Sequence, residues 1–137
     1  MTLFVDTSVW SLALRRDARG LQPPGAEVMV LRQALERAEL VVTTGIVLQE
    51  LLQGFSGPRE RTGIIDRFGA LPLLVPNRQD HIEAAELRNL CRRAGVQIGT
   101  IDALLAQLCI HHDLTLLTTD QDFVHMTAHC PLRLWQT

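Results

Sequence analysis

Short apolar runs and stretches of helical period follow one another along the chain with little between them. Residues 3–6, "LFVD", form an apolar run that ends in a carboxylate, and "TSVWSLALRR" then repeats apolar positions at helical spacing, with Thr7 or Ser8 placed to cap. The pattern predicts a strand and then a helix. Residues 17–25, "DARGLQPPG", carry the glycines and prolines of a loop, and 27–38 returns to helical spacing through Val28, Leu31 and Leu35. The strand-then-helix unit recurs at "LVVTT" (40–44), which is β-branched, and "GIVLQELLQG" (45–54), which is helical in period. A weaker helix is expected over 57–70, and a short buried strand at "LPLLVP", bounded by prolines.

Residues 79–94 place Ile82, Ala85, Leu87 and Leu90 near one face of a helix, with acids early and Arg92 and Arg93 late, as the helix dipole favours; Gly95 closes it. Thr100 is placed to cap "IDALLAQLCIHH", a mostly buried helix, and "LTLLTT" reads as a strand. "DQDFVHMTAH" predicts a short helix and "LRLW" a last strand. Strands alternating with helices predict an α/β fold, an open and largely parallel sheet with helices on both faces, as a single domain over 1–137.

Composition narrows the chemistry. A chain of 137 residues can bury one core. Its hydrophobic fraction is 47%, yet no apolar run approaches the ~18 residues of a membrane span, and the N-terminus enters a strand pattern without a basic flank or cleavage site. A soluble, cytoplasmic protein without membrane contact is expected. Cys91, Cys109 and Cys130 are odd in number and widely spaced, which fits small buried hydrophobes better than disulfides or a structural zinc site. All 13 basic residues are Arg, so Schiff-base chemistry and lysine-dependent phosphate loops are excluded, and Tyr is absent too. Carboxylates and His remain as acid–base groups. With a net charge of −2, a polyanion must be held locally or through a metal.

In open α/β sheets, sites form beyond the carboxyl ends of the strands. Four acids fall in that zone: Asp6 after the first strand, Glu50 in the helix after "LVVTT", Asp102 opening the "DALLAQ" helix, and Asp120 after "LTLLTT". Carboxylates at ~4–6 Å raise one another's pKa, and desolvation adds to the effect. A divalent cation would offset that repulsion: Mg²⁺ or Mn²⁺ prefers hard oxygen ligands, can activate a water, and neutralises charge on a phosphate. Singly, each acid has an ordinary reading. Asp6 is equally suited to cap its helix, Asp102 to complement a helix dipole, and Asp120 with Asp122 to form a turn or capping box. Glu50, among Val47, Leu48, Leu51 and Leu52, is harder to place without a partner.

"LFVDTSVW", "LQELLQG", "IGTIDALLAQL" and "LTLLTTDQDF", in this order and over essentially the whole length, resemble the PIN-domain ribonucleases, in particular the VapC-type toxins of bacterial toxin–antitoxin pairs. The resemblance implies a Mg²⁺- or Mn²⁺-dependent endoribonuclease. It makes Asp6, Glu50, Asp102 and Asp120 the catalytic acids, with Asp6, Asp102 and Asp120 on the metal. Thr7 and Thr118 become hydroxyls that orient ligands or water, and Asp122 a supporting acid. RNA is the implied substrate, a homodimer the implied assembly, and a cognate antitoxin the implied partner, its C-terminal tail lying across the site. An Arg from that tail would replace the cation's charge by pairing with the carboxylates.

Arg15, Arg16 and Arg19 form the first basic cluster and would supply local RNA contacts; Arg59 with Arg61 and Arg92 with Arg93 are further groups, and all equally suit a solvated face. His111, His112, His125 and His129 lack both a HExxH arrangement and a cysteine pair, and read as structural. Trp10 and Trp135 suit core or interface. The helices over 26–38 and 45–52 are apolar enough for a dimer or antitoxin groove, or for core packing alone. Two other readings stay open: a phosphoacceptor receiver domain, which uses a lysine this chain lacks, and a catalytically silent PIN-like module that only binds RNA or protein.

Overall fold

The computed structural model describes residues 1–19 and 25–136, with the side chains of 16–19 outside that description. Five short strands form one parallel sheet: β1 (Leu3–Val5), β2 (Val41–Thr44), β3 (Leu73–Leu74), β4 (Thr115–Leu117) and β5 (Arg133–Leu134), in the order β3-β2-β1-β4-β5. β1 lies in the middle, with Leu3 opposite both Val41 of β2 and Thr115 of β4. Leu3, Phe4, Val5, Leu116 and Leu117 are all buried, as befits central parallel strands covered on both faces.

Among the described residues seven helices flank the sheet: α1 (Thr7–Arg19), α2 (Ala26–Glu36), α3 (Gly45–Gly54), α4 (Pro58–Phe68), α5 (Arg78–Arg93), α6 (Thr100–His111) and α7 (Gln121–Met126). Trp10 of α1 is buried against Phe68 of α4, their ring centroids 4.9 Å apart and tilted by 51°. Trp135 is half-buried beside the core. Among the described residues no helix is long and apolar enough to cross a membrane.

The predicted α/β architecture is present, and the sheet is parallel throughout. Five local expectations differ. α1 continues through 17–19, which were assigned to the loop, because helix breakers begin only at Gly20. β3 is an exposed edge rather than a buried strand: Pro72 and Pro76 confine it to the rim, where it pairs with β2 alone. Gly99, not Thr100, occupies the N-cap of α6, and Asp6 rather than Thr7 or Ser8 caps α1. α5 buries Asp80, Ala84, Leu87 and Cys91, leaving Ile82 and Leu90 exposed. Its seam turns toward Asp80 because that carboxylate has partners: Asn77 and Asp80 form a capping box, and His111 of α6 lies 2.7 Å away.

α5 ends in a left-handed residue, Gly95 at φ 85°, whose amide donates to the Arg92 carbonyl at 3.0 Å and so turns the chain toward α6. A side chain there meets open space but is strained by the backbone. Gly95→Ala should therefore lower stability by about 1 kcal/mol, seen as a melting temperature lower by roughly 3–5 °C in thermal unfolding. An unchanged melting temperature would contradict the left-handed turn.

Candidate active site

β1 and β4 are neighbours at the point where strand order reverses about the centre of the sheet, the place where open α/β sheets leave a crevice. Asp6 follows β1 directly, and its amide donates to the Leu117 carbonyl at 3.2 Å. Its carboxylate is only 5% exposed. Oδ1 accepts from the amides of Ser8 (3.1 Å) and Val9 (3.4 Å) and from the Ser8 hydroxyl (2.5 Å). Asp6 therefore caps α1, but capping does not exhaust it. Oδ2 accepts from the Thr118 hydroxyl at 2.6 Å, a group 112 positions away at the end of β4. Burial raises the Asp6 pKa; the hydrogen bonds from Ser8, Thr118 and the amides offset only part of that rise.

Thr118 carries the linkage onward, because its Oγ1 accepts from the Asp120 amide at 3.0 Å. Asp120 caps α7, its Oδ1 accepting from the Asp122 amide at 2.9 Å. Asp102, in the first turn of α6, completes the group: it, Asp120 and Asp122 each offer a carboxylate oxygen within 4.8 Å of the others. Among the described residues no hydrogen bond reaches the Asp102 carboxylate. Its pKa is pushed up to about 6, first by burial and then by the charges of Asp120, Asp6, Asp122 and Glu50. Glu50, half-buried on α3, accepts from the Thr7 hydroxyl at 2.8 Å through Oε1.

Asp6, Glu50 and Asp120 thus all act on Asp102 through their charge, although Glu50 and Asp102 come from α3 and α6 and Asp6 and Asp120 from the starts of α1 and α7. Asp122 belongs to the tightest trio with Asp102 and Asp120, whereas Asp6 joins them through Thr118 and through its charge. Thr7 and Thr118 hold Glu50 and Asp6 respectively. Ser8 was read from sequence only as a helix cap. It binds Asp6 and also accepts from the Thr119 amide at 3.1 Å, so it ties the ends of β1 and β4 together. A hydroxyl two positions after a strand-ending acid was the available signal. Arg15 is exposed and lines an apolar groove with Trp10, Leu14, Phe55, Ile64 and Phe68; the side chains of Arg16 and Arg19 lie outside the described residues.

The donor set fits a hard cation. Asp102, Asp120 and Asp122 present oxygen alone, and Asp102 is left without a hydrogen-bond donor amid four like charges, which is the state a Mg²⁺ or Mn²⁺ ion would relieve. A family model described as "PIN domain" matches residues 3–128 and so spans all of these acids. The chain belongs to the PIN domain family. No curated protein sequence matches it significantly. Solved structures share the PIN fold. VapBC2 from Rickettsia felis, bound to a promoter DNA fragment, is 20% identical with a TM-score of 0.75, covering 98% of each chain. DNA-bound VapBC from Salmonella typhimurium is 17% identical with a TM-score of 0.73, over 98% of this chain and 97% of that one. Mycobacterium tuberculosis VapC20, described as a sarcin–ricin loop cleaving toxin, is 19% identical with a TM-score of 0.65, over 96% and 99%.

A carboxyl group with a raised pKa in the folded state binds its proton more tightly there than in the unfolded chain. The metal-free PIN domain should therefore lose stability as pH rises from about 4 to about 6, through Asp102, and change little from that source above it. Asp102→Asn should flatten this slope and, in EDTA at pH 7, raise stability by about 1–2 kcal/mol after solvent screening. Denaturant titrations across pH measure both; parallel profiles for parent and variant would refute the coupling.

Proposed function

We propose that this PIN domain is a metal-dependent endoribonuclease that hydrolyses RNA phosphodiester bonds with Mg²⁺ or Mn²⁺, acting in the cytoplasm as the toxin of a toxin–antitoxin pair. The observation that carries this reading is the convergence of four other carboxylates on Asp102, an arrangement that destabilises the fold unless a cation is to be held. Asp102, Asp120 and Asp122 would hold that cation, with Asp6 beside them. Bound there, it supplies neutralisation of phosphate charge and activation of a water. The protein's own part is orientation and proton handling. Ser8 and Thr118 lock both oxygens of Asp6, so its charge cannot swing away. Glu50 spends Oε1 on Thr7, which leaves Oε2 free to take a proton from an attacking water.

The toxin assignment draws on the VapBC and VapC20 structures that share the fold. A partner seat is consistent with it. The groove between α1 and α4 is largely apolar, and the Trp10 indole N–H that borders it is buried without a hydrogen-bond partner among the described residues. An antitoxin segment laid in this groove would bury its walls, and an Arg beyond it would pair with the acids. Exposed Ile82 and Leu90 on α5, with Ile101 on α6, offer apolar surface for a homodimer.

The test is cleavage of total RNA and tRNA by the purified protein in Mg²⁺, in Mn²⁺ and in EDTA, beside Asp120→Asn. Asn caps a helix as well as Asp does, so α7 should stay folded while the charge is lost. Discrete fragments that require metal, and that form about a hundredfold more slowly or not at all in the variant, are expected. Cleavage that persists in the variant or in EDTA would overturn the assignment. RNA retention without fragments in either protein would instead identify a binding module.

A further inference from the structure

Asp80, His111 and His112 meet at the far end of α6 from the acids. His111 lies nine residues after Asp102, about 13 Å along a helix rising 1.5 Å per residue, so the two groups cannot share an ion. Asp80 is 2% exposed and its position is fixed: Oδ2 accepts from the Asn77 amide at 2.9 Å, and Oδ1 faces His111 Nδ1 at 2.7 Å. The imidazoles of His111 and His112 stack with centroids 4.2 Å apart and planes 28° apart, and both are exposed. One oxygen of Asp80 and one nitrogen of each ring lie within 4.8 Å of one another.

We propose that Asp80, His111 and His112 form a second cation site, of a different chemistry from the first and suited to Zn²⁺ rather than Mg²⁺. Two imidazole nitrogens and one carboxylate oxygen are borderline donors; Mg²⁺ takes oxygen, whereas Zn²⁺ takes nitrogen and oxygen at about 2.0–2.2 Å. Asp80 supplies a preset anchor, and the two exposed rings need only rotate to close on it. The short Asp80–His111 contact is where the ion enters. In the tautomer that carries the ring's proton on Nε2, the Nδ1 lone pair would face the ion beside Oδ1. Water completes the fourth position. The bound ion ties the first turn of α5 to the last of α6, bracing the helix that carries Asp102 at its other end. Sequence spacing did not reveal the site because its carboxylate lies 31 positions before His111. The site does not depend on the nuclease reading.

Isothermal titration of the full chain with ZnCl₂, in buffer holding saturating Mg²⁺, tests it against His112→Ala and Asp102→Asn. Among the described residues the His112 side chain makes no hydrogen bond, and its backbone amide still donates to the Leu108 carbonyl in an Ala variant, so its truncation leaves the Asp80–His111 pair and the fold in place. One Zn²⁺ per chain is expected in the parent, with affinity at least about tenfold weaker in His112→Ala and unchanged in Asp102→Asn. With Co²⁺ as a spectroscopic substitute, the parent should show the visible bands of a tetrahedral ion and His112→Ala should lose them. Absence of Zn²⁺ binding by the parent, binding indifferent to His112→Ala, or binding abolished by Asp102→Asn would each overturn the proposal.

Discussion

Repulsion among carboxylates at one rim of the sheet is the constraint to which the rest of the structure answers. Burial and the charges of four neighbouring acids push the pKa of Asp102 up to about 6, and among the described residues its carboxylate has no hydrogen-bond donor. Such a cluster persists only where stronger forces position the chain. Here the apolar strands do so. β1 and β4 pair in parallel register with every residue of β1 buried, which sets the positions after Val5 and after Leu117 side by side whatever the charges there prefer. Burial of residues such as Phe4, Val5, Leu116 and Leu117, each stabilising by roughly 1.5–3 kcal/mol, outweighs the residual electrostatic strain on one half-buried carboxylate.

Helix N-termini moderate what remains. Asp6 stands at the start of α1, Asp102 in the first turn of α6, and Asp120 at the start of α7 with Asp122 one step inside. Each terminus favours negative charge by about 0.3–1 kcal/mol. These termini offset part of the repulsion felt by Asp102, whose pKa stays raised by burial and then by its neighbours' charge, whereas Asp6 is raised by burial against its hydrogen bonds. The same carboxylates thus serve the fold and the site. Asp6 and Asp120 each cap a helix with Oδ1, and Thr118 holds the Oδ2 of Asp6.

Much of this was legible in the chain because the signals are local. "LFVD" and "LTLLTTD" each carry an apolar run and the acid that follows it, and parallel topology then brings the two acids together. What escaped depends on contacts between distant segments. The buried face of α5 was misread because apolar periodicity favoured Ile82 and Leu90, whereas the seam contains Asp80, whose burial is possible only with His111 31 positions later. Ser8 read as an ordinary cap, since its link to Thr119 requires β4 to lie beside β1. The closeness of Asp122 to Asp102 depends on the turn into α7 and not on spacing in the strand pattern.

α6 joins two kinds of charge chemistry on one rigid element. Its first turn carries a carboxylate whose surroundings oppose its charge, and its last turn a histidine whose surroundings include a fixed, buried carboxylate. At the first end the unfavourable charge sits on a half-buried carboxylate with like charges around it. At the second end the charge is already matched within the protein: burial raises the Asp80 pKa, but the Asn77 amide and His111 together bring it below the usual value. The two ends therefore differ in what removing a partner does: neutralising Asp102 relieves strain, while removing His111 leaves a buried carboxylate without its partner across the hairpin.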